Sequence, residues 1–115
     1  MSYDLNFWKY KPGVVLDHQR TYERLSDGQT VEGLEDLPVD RMLSRIGDVF
    51  GDWAKLSPDT WEGKKGLFQI LVTEQFFRVD CYGMEGEDMN QVIDVATEFG
   101  CPLYDPQVGV RYDGC

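Results

Sequence analysis

Residues 82–107, YGMEGEDMNQVIDVATEFGCPLYDPQ, hold a start signal, an amphipathic body and a stop signal, and they read as one helix between two strands. Met89, Val92, Ile93, Ala96 and Phe99 recur at the spacing that gathers side chains on one helical face, so this face is expected to enter a core. Glu85, Glu87 and Asp88 crowd the entrance, where the helix dipole favours anions. Gly100 can adopt the left-handed conformation that closes a helix, and Pro102 forbids its continuation. Beyond it Leu103 and Tyr104 resume an extended run, Asp105-Pro106 makes a turn or bulge, and Val108, Val110 and Tyr112 alternate as in a last strand.

Upstream, Phe68, Ile70 and Val72 alternate, Thr73-Glu74-Gln75 interrupts, and Phe77, Val79 and Cys81 alternate again, which is a β-hairpin signature. Val39, Met42, Leu43, Ile46, Phe50 and Trp53 form a second helical stripe, with Pro38 just before it, where helices tolerate proline. Between stripe and hairpin, residues 55–66 read as a loop or helical turn, with Trp61 packing as a lid over the core. Residues 29–38, QTVEGLEDLP, are acidic and without period, and read as an exposed connection carrying Glu32, Glu35 and Asp36. At the start, Tyr3, Leu5 and Phe7 alternate with Asp4, Asn6 and Trp8 as in a half-buried strand over 3–10, and Asp17 can cap a short helix over 18–25. Setting that short helix aside, the order is βαββαβ. It predicts a single α+β domain over 1–115 with a ferredoxin-like antiparallel sheet, two main helices on one face and a short extra helix after the first strand.

The 115 residues carry a net charge of -10 with a pI near 4.3, which works against nucleic acid or anionic membrane as a partner and favours a basic protein. No stretch approaches the roughly 20 apolar residues of a membrane span, and the start MSYDLN does not read as a signal peptide, so a cytoplasmic location is expected. Cys81, Cys101 and Cys115 are odd in number and lack a C-x-x-C pattern, so no disulfide framework is implied. Cys81 and Cys101 read as small buried hydrophobes, and Cys115 as an exposed thiol open to adventitious pairing.

Catalysis needs complementary groups brought together, and His18 is the sole histidine, far in sequence from any cysteine. No H-E-x-x-H, paired-cysteine zinc pattern, P-loop or G-x-G-x-x-G is present, and the acids at 85, 87 and 88 lack the EF-hand pattern. The expectation is therefore no catalytic residue, no metal and no cofactor. Recognition by charge remains. Between Arg78 and Arg111 there are seven Asp or Glu and no Lys or Arg. Asp94 and Glu98 are neighbours on one helical edge, and with Glu87 or Asp88 a turn earlier they make an acidic stripe whose self-repulsion a basic partner would remove. Tyr82, Tyr104 and Trp61 could supply aromatic anchors or belong to the core. The candidate partner-binding residues are Glu85, Glu87, Asp88, Asp94, Glu98, Tyr82, Tyr104, Trp61, Glu35 and Asp36.

The opening MSYDLNFWKY (1–10) and the closing FGCPLYDPQVGVRYD (99–113) resemble small bacterial immunity proteins of polymorphic-toxin and contact-dependent growth-inhibition loci. The resemblance implies tight binding to one cognate toxin, commonly a nuclease with a basic surface, and inhibition by occlusion; it assigns no residue a role. Two other readings are a small enzyme or ligand-binding domain with an apolar pocket near Trp61 and His18 or Tyr82 at its rim, and a DNA mimic whose carboxylates stand in for phosphates.

Overall fold

In the computed structural model, which describes residues 2–112, the central helix runs Gly86–Glu98. Gly100 closes it at φ +76°, with its N–H donating to Thr97 O at 2.9 Å and the Cys101 N–H donating to Ala96 O at 3.0 Å. Those bonds satisfy carbonyls that the helix end leaves open. In chain order the elements are β1 (Ser2–Phe7), α1 (His18–Ser26), α2 (Val39–Val49), β2 (Ala54–Ser57), β3 (Thr60–Glu62), β4 (Leu67–Val72), β5 (Phe77–Tyr82), α3 (Gly86–Glu98), β6 (Leu103–Asp105) and β7 (Val110–Tyr112). All seven strands join one antiparallel sheet ordered β2-β3-β4-β5-β1-β6-β7.

Alternation along β1 decides what covers each face of the sheet. Leu5 and Phe7 point with Phe68, Ile70, Phe77 and Val79 towards Met42, Ile46 and Phe50 of α2 and Val92, Val95 and Ala96 of α3. Trp8 belongs to a second core on the opposite face, with Leu25 of α1, Val31, Leu34, Phe76 and Tyr104. The sheet is thus covered on both sides around β1 and β6. Leu5 to Trp8 are consequently all buried, where a half-buried strand was expected. The short helix follows expectation, with the Asp17 carboxylate accepting from the Arg20 N–H at 2.9 Å.

The α+β class and the antiparallel sheet stand, but the ferredoxin-like arrangement of four strands and two helices is not matched: the sheet has seven strands, and three helices are described. Two local differences account for the larger sheet. Residues 55–66, expected as a loop, form most of the β2–β3 hairpin, turned at Pro58-Asp59 and followed by the glycine-flanked turn into β4. The run from Leu103 to Tyr112, counted as one last strand with a turn or bulge at Asp105-Pro106, is the pair β6 and β7, turned at 106–109 with Gly109 at φ +66°. The connection over 29–38 also departs from expectation. Val31, Leu34 and Leu37 are buried, and the Gln75 side chain holds Val31 by two hydrogen bonds, accepting from its N–H at 2.9 Å and donating to its C=O at 3.0 Å. Among the described residues, no helix is long and apolar enough to cross a membrane. Cys115 lies outside the described residues.

Candidate partner-binding surface

The acids of α3 are sorted by their neighbours. Glu98, in its last turn, accepts from Arg45 Nε of α2 at 3.0 Å, and Arg41 of α2 stacks 5.5 Å over the Phe99 ring just beyond. Lys9 reaches the same end of the helix at Gly100 and pairs with Glu35 at 3.4 Å. Cations gather where the helix dipole is negative. At the other end Glu85 pairs with Lys65 at 3.3 Å. All these pairs are largely exposed, so each contributes little stability. Between them, Glu87 and Asp94 are exposed and Asp88 is half-buried, and among the described residues none of the three is in an ion pair. The stripe expected to run to Glu98 therefore contracts to Glu87, Asp88 and Asp94.

The remaining candidates are dispersed. Tyr82 is exposed, but it alternates with Cys81 and so faces away from α2 and α3. Tyr104 is fully buried, its hydroxyl bonded to Gln19. Trp61 is 2% exposed, stacked on Phe68 at 5.3 Å with Lys55 over its other side at 5.2 Å. Both are core side chains. Asp36 is exposed beside Glu35. The apolar pocket envisaged near Trp61 is filled by the rings of Phe50, Trp53, Trp61 and Phe68. The groove beside Trp53, of about 450 Å³ between the 63–66 turn and the start of α3, is lined by the charged residues Asp52, Lys64, Lys65, Glu85 and Asp88 among others.

A second acidic group, which the sequence reading did not assemble, lies on the sheet face opposite α2 and α3. Asp4 of β1 stands directly across from Asp80 of β5. Arg78 is forked between them, with Nε 2.7 Å from Asp80 and Nη2 3.3 Å from Asp4. Two carboxylates opposed across a strand pair repel, and aspartate is disfavoured in strands, which was the available sequence signal. Burial, together with the hydrogen bond and charge of Asp80, raises the Asp4 carboxyl above its ordinary value of 3.8 against the opposing pull of Arg78. On the same face Asp59 is held below the usual range by the hydroxyls of Ser57 and Thr60, which donate to it at 2.7 and 3.0 Å.

With the folded pKa of Asp4 raised, the protein binds its proton more tightly than the unfolded chain does. The associated stability is full below 3.8 and is lost as pH rises through the folded value. Asp4→Asn, a permanent mimic of the neutral form, is therefore expected to raise the urea midpoint at pH 7 with unchanged slope, and the gain should fade as pH falls towards 3.8. A midpoint lower than wild type at pH 7 would show that the Arg78 contact outweighs the repulsion.

Nucleophilic groups are poorly placed. Burial pushes the Cys81 thiol up to about 12, helped by the charges of Asp80 and Asp4. Burial likewise pushes Cys101 to about 11 against the pull of Lys9 and Arg111, so neither supplies thiolate at neutral pH. His18 Nδ1 shares a 2.7 Å hydrogen bond with the Tyr10 hydroxyl, and its ring stacks on Tyr10. Among the described residues, no group of three or more His, Cys, Asp or Glu could hold a metal ion. No family model, curated protein or solved structure matches the chain.

Proposed function

We propose that this protein is a non-catalytic binding protein of the immunity type, which neutralises a cognate basic toxin by covering its functional surface. The observation that carries the reading is α3, where Glu87 and Asp94 share one helical edge two turns apart and, with Asp88 at the groove beside Lys64 and Lys65, form no ion pair among the described residues, although Arg45 and Lys65 pair with Glu98 and Glu85 at the two ends. A solvated helix of a chain with 11 cations would be expected to share them more evenly. The low reactivity of both buried thiols is consistent with a role that needs no chemistry. In this reading charge accelerates encounter and selects the partner, while a few buried contacts hold the complex.

The partner is found by pull-down with the native protein as bait, including the product of the adjacent gene, and titration against the basic protein recovered. With that partner in hand, Glu87→Lys with Asp94→Lys is expected to slow association about tenfold at low salt, the lower end of what electrostatic steering contributes, and to flatten its salt dependence. Glu98→Lys, which only disrupts a pair with Arg45, is expected to change the rate much less. No effect of the double variant would remove α3 from the interface, and an equal effect of Glu98→Lys would overturn the distinction between its paired and unpaired acids. Recovery of no partner with the folded neighbour present would sink the inhibitor reading.

A further inference from the structure

The two edges of the sheet are built differently. At one edge, β2 carries the devices that discourage strand addition: its register shifts between Lys55 and Ser57, Lys55 lies on it, and Pro58 follows it. At the other edge, β7 has none of these. Its pairing with β6 is regular, and residues 106–112 contain no Lys, Asp or Glu, with a proline only at the turn. Val108, Val110 and Tyr112 are 61%, 43% and 53% exposed. Among the described residues no strand pairs with the outer side of β7.

The side chains of β7 limit what can pair there. Val110 and Tyr112 project to one face, as alternation requires, and Tyr112 lies across from Leu103. Arg111, between them, is drawn back onto its own sheet: its guanidinium lies 5.5 Å over the Trp8 ring and 4.6 Å over the Tyr10 ring, and Nη2 donates to Trp8 O at 2.7 Å. The single cation of the strand is thus committed within the chain. What the edge offers outward is backbone and an aliphatic–aromatic couple.

We propose that β7 is a self-association strand: two copies of this chain pair antiparallel about a two-fold axis at Arg111, continuing the sheet from one molecule into the other. This register sets Val110 across from Tyr112 of the second copy, and Tyr112 across from its Val110, a favoured β-branched and aromatic pairing. It also sets the two Arg111 opposite each other on the other face, a like-charge cost reduced because each guanidinium lies over its own Trp8 and Tyr10. No carboxylate between residues 106 and 112 opposes the approach, despite the net charge of -10 on each chain. So short a strand pair buries less surface than a permanent dimer needs, so the association is weak and concentration-dependent. It is independent of the toxin-binding reading, which concerns α3.

Sedimentation velocity of the native chain, from micromolar to millimolar concentration with thiols reduced, tests this. The sedimentation coefficient is expected to climb towards the dimer value, and to do so at lower concentration in high salt, which screens the repulsion of two acidic chains. Val110→Lys places a charge on an exposed position and is expected to abolish the rise with the circular dichroism spectrum unchanged. The register is read separately by cysteine pairing in a Cys115→Ser background. Val110→Cys and Tyr112→Cys together should form a covalent dimer on mild oxidation at least tenfold faster than either alone. The two cysteines of one chain lie roughly 6.7 Å apart along the strand, too far for a bond that needs Cβ atoms about 3.5–4.5 Å apart. A chain that stays monomeric at millimolar concentration in high salt overturns the proposal and leaves the edge to a strand of another protein. A dimer that survives Val110→Lys, or single-cysteine variants that cross-link as fast as the double, overturns it equally.

Discussion

Phe68→Ala is expected to remove a large part of the stability of this protein. Phe68 is fully buried on β4, and three aromatic rings meet it: Phe50 at the end of α2 at 4.8 Å, Trp53 at 5.5 Å and Trp61 of β3 stacked at 5.3 Å. Its side chain therefore joins α2, the β2–β3 hairpin and the sheet at one point. Truncating a buried phenylalanine costs about 3–5 kcal/mol in transfer and cavity terms, against a total of about 5–15 kcal/mol for a domain. At roughly 4 °C per kcal/mol for a chain of this size, Tm should fall by about 12–20 °C. Trp53 and Trp61 fluorescence should report the loosening before the global transition. Phe68→Leu keeps much of the volume and should cost less than half as much. A loss below about 1 kcal/mol for the alanine variant, the range of ordinary surface changes, would show that the ring cluster is not the packing centre.

Gln75→Ala is expected to loosen the 29–37 segment at Val31, while its bonds to Lys9, Lys11 and Glu74 remain. The Gln75 amide pairs with both the N–H and the C=O of Val31, acting as a strand would at the start of a segment whose later residues bridge to Tyr10 through Leu34 and bond to Glu74 through Leu37. Both groups are buried, so the truncation leaves two backbone polar atoms unsatisfied, at about 1–3 kcal/mol each. Gln75→Glu keeps the acceptor for the Val31 N–H but turns an acceptor towards the Val31 C=O, and should recover only part of the loss. Hydrogen exchange separates this from a global effect: the Val31 amide should lose protection by far more than amides of β1 or β5. Uniform loss of protection would mean that the segment and the sheet unfold as one unit.

The contrast between these two sites marks what each level of structure decides. Sequence alone placed α1, α2, α3 and the β4–β5 hairpin, because each is specified by groups within one element: Asp17 caps three residues ahead, the apolar stripes repeat at helical period, and Gly100 reverses the chain. It also placed Leu5 and Phe7 on the face opposite Trp8. It did not place β2 and β3, whose three or four residues are too few to show a period and are strands only because a neighbouring edge accepts their hydrogen bonds, and it read the alternation of β7 without its pairing to β6. The Pro58-Asp59 pair between two short runs was the one local signal for β2–β3.

The buried side of the 29–38 connection and the contraction of the acidic surface have the same cause. Val31, Leu34 and Leu37 show no period of a strand or long helix, and their burial depends on Gln75, Lys9 and Glu74, which are distant in sequence. The charge run over 85–98 was legible as composition. Which of its members are paired was decided by Arg45 on α2 and Lys65 on the β3–β4 turn. Local propensity and capping act over a few residues and can be read in line, whereas ion pairing, edge pairing and burial depend on partners that only the folded chain brings within reach.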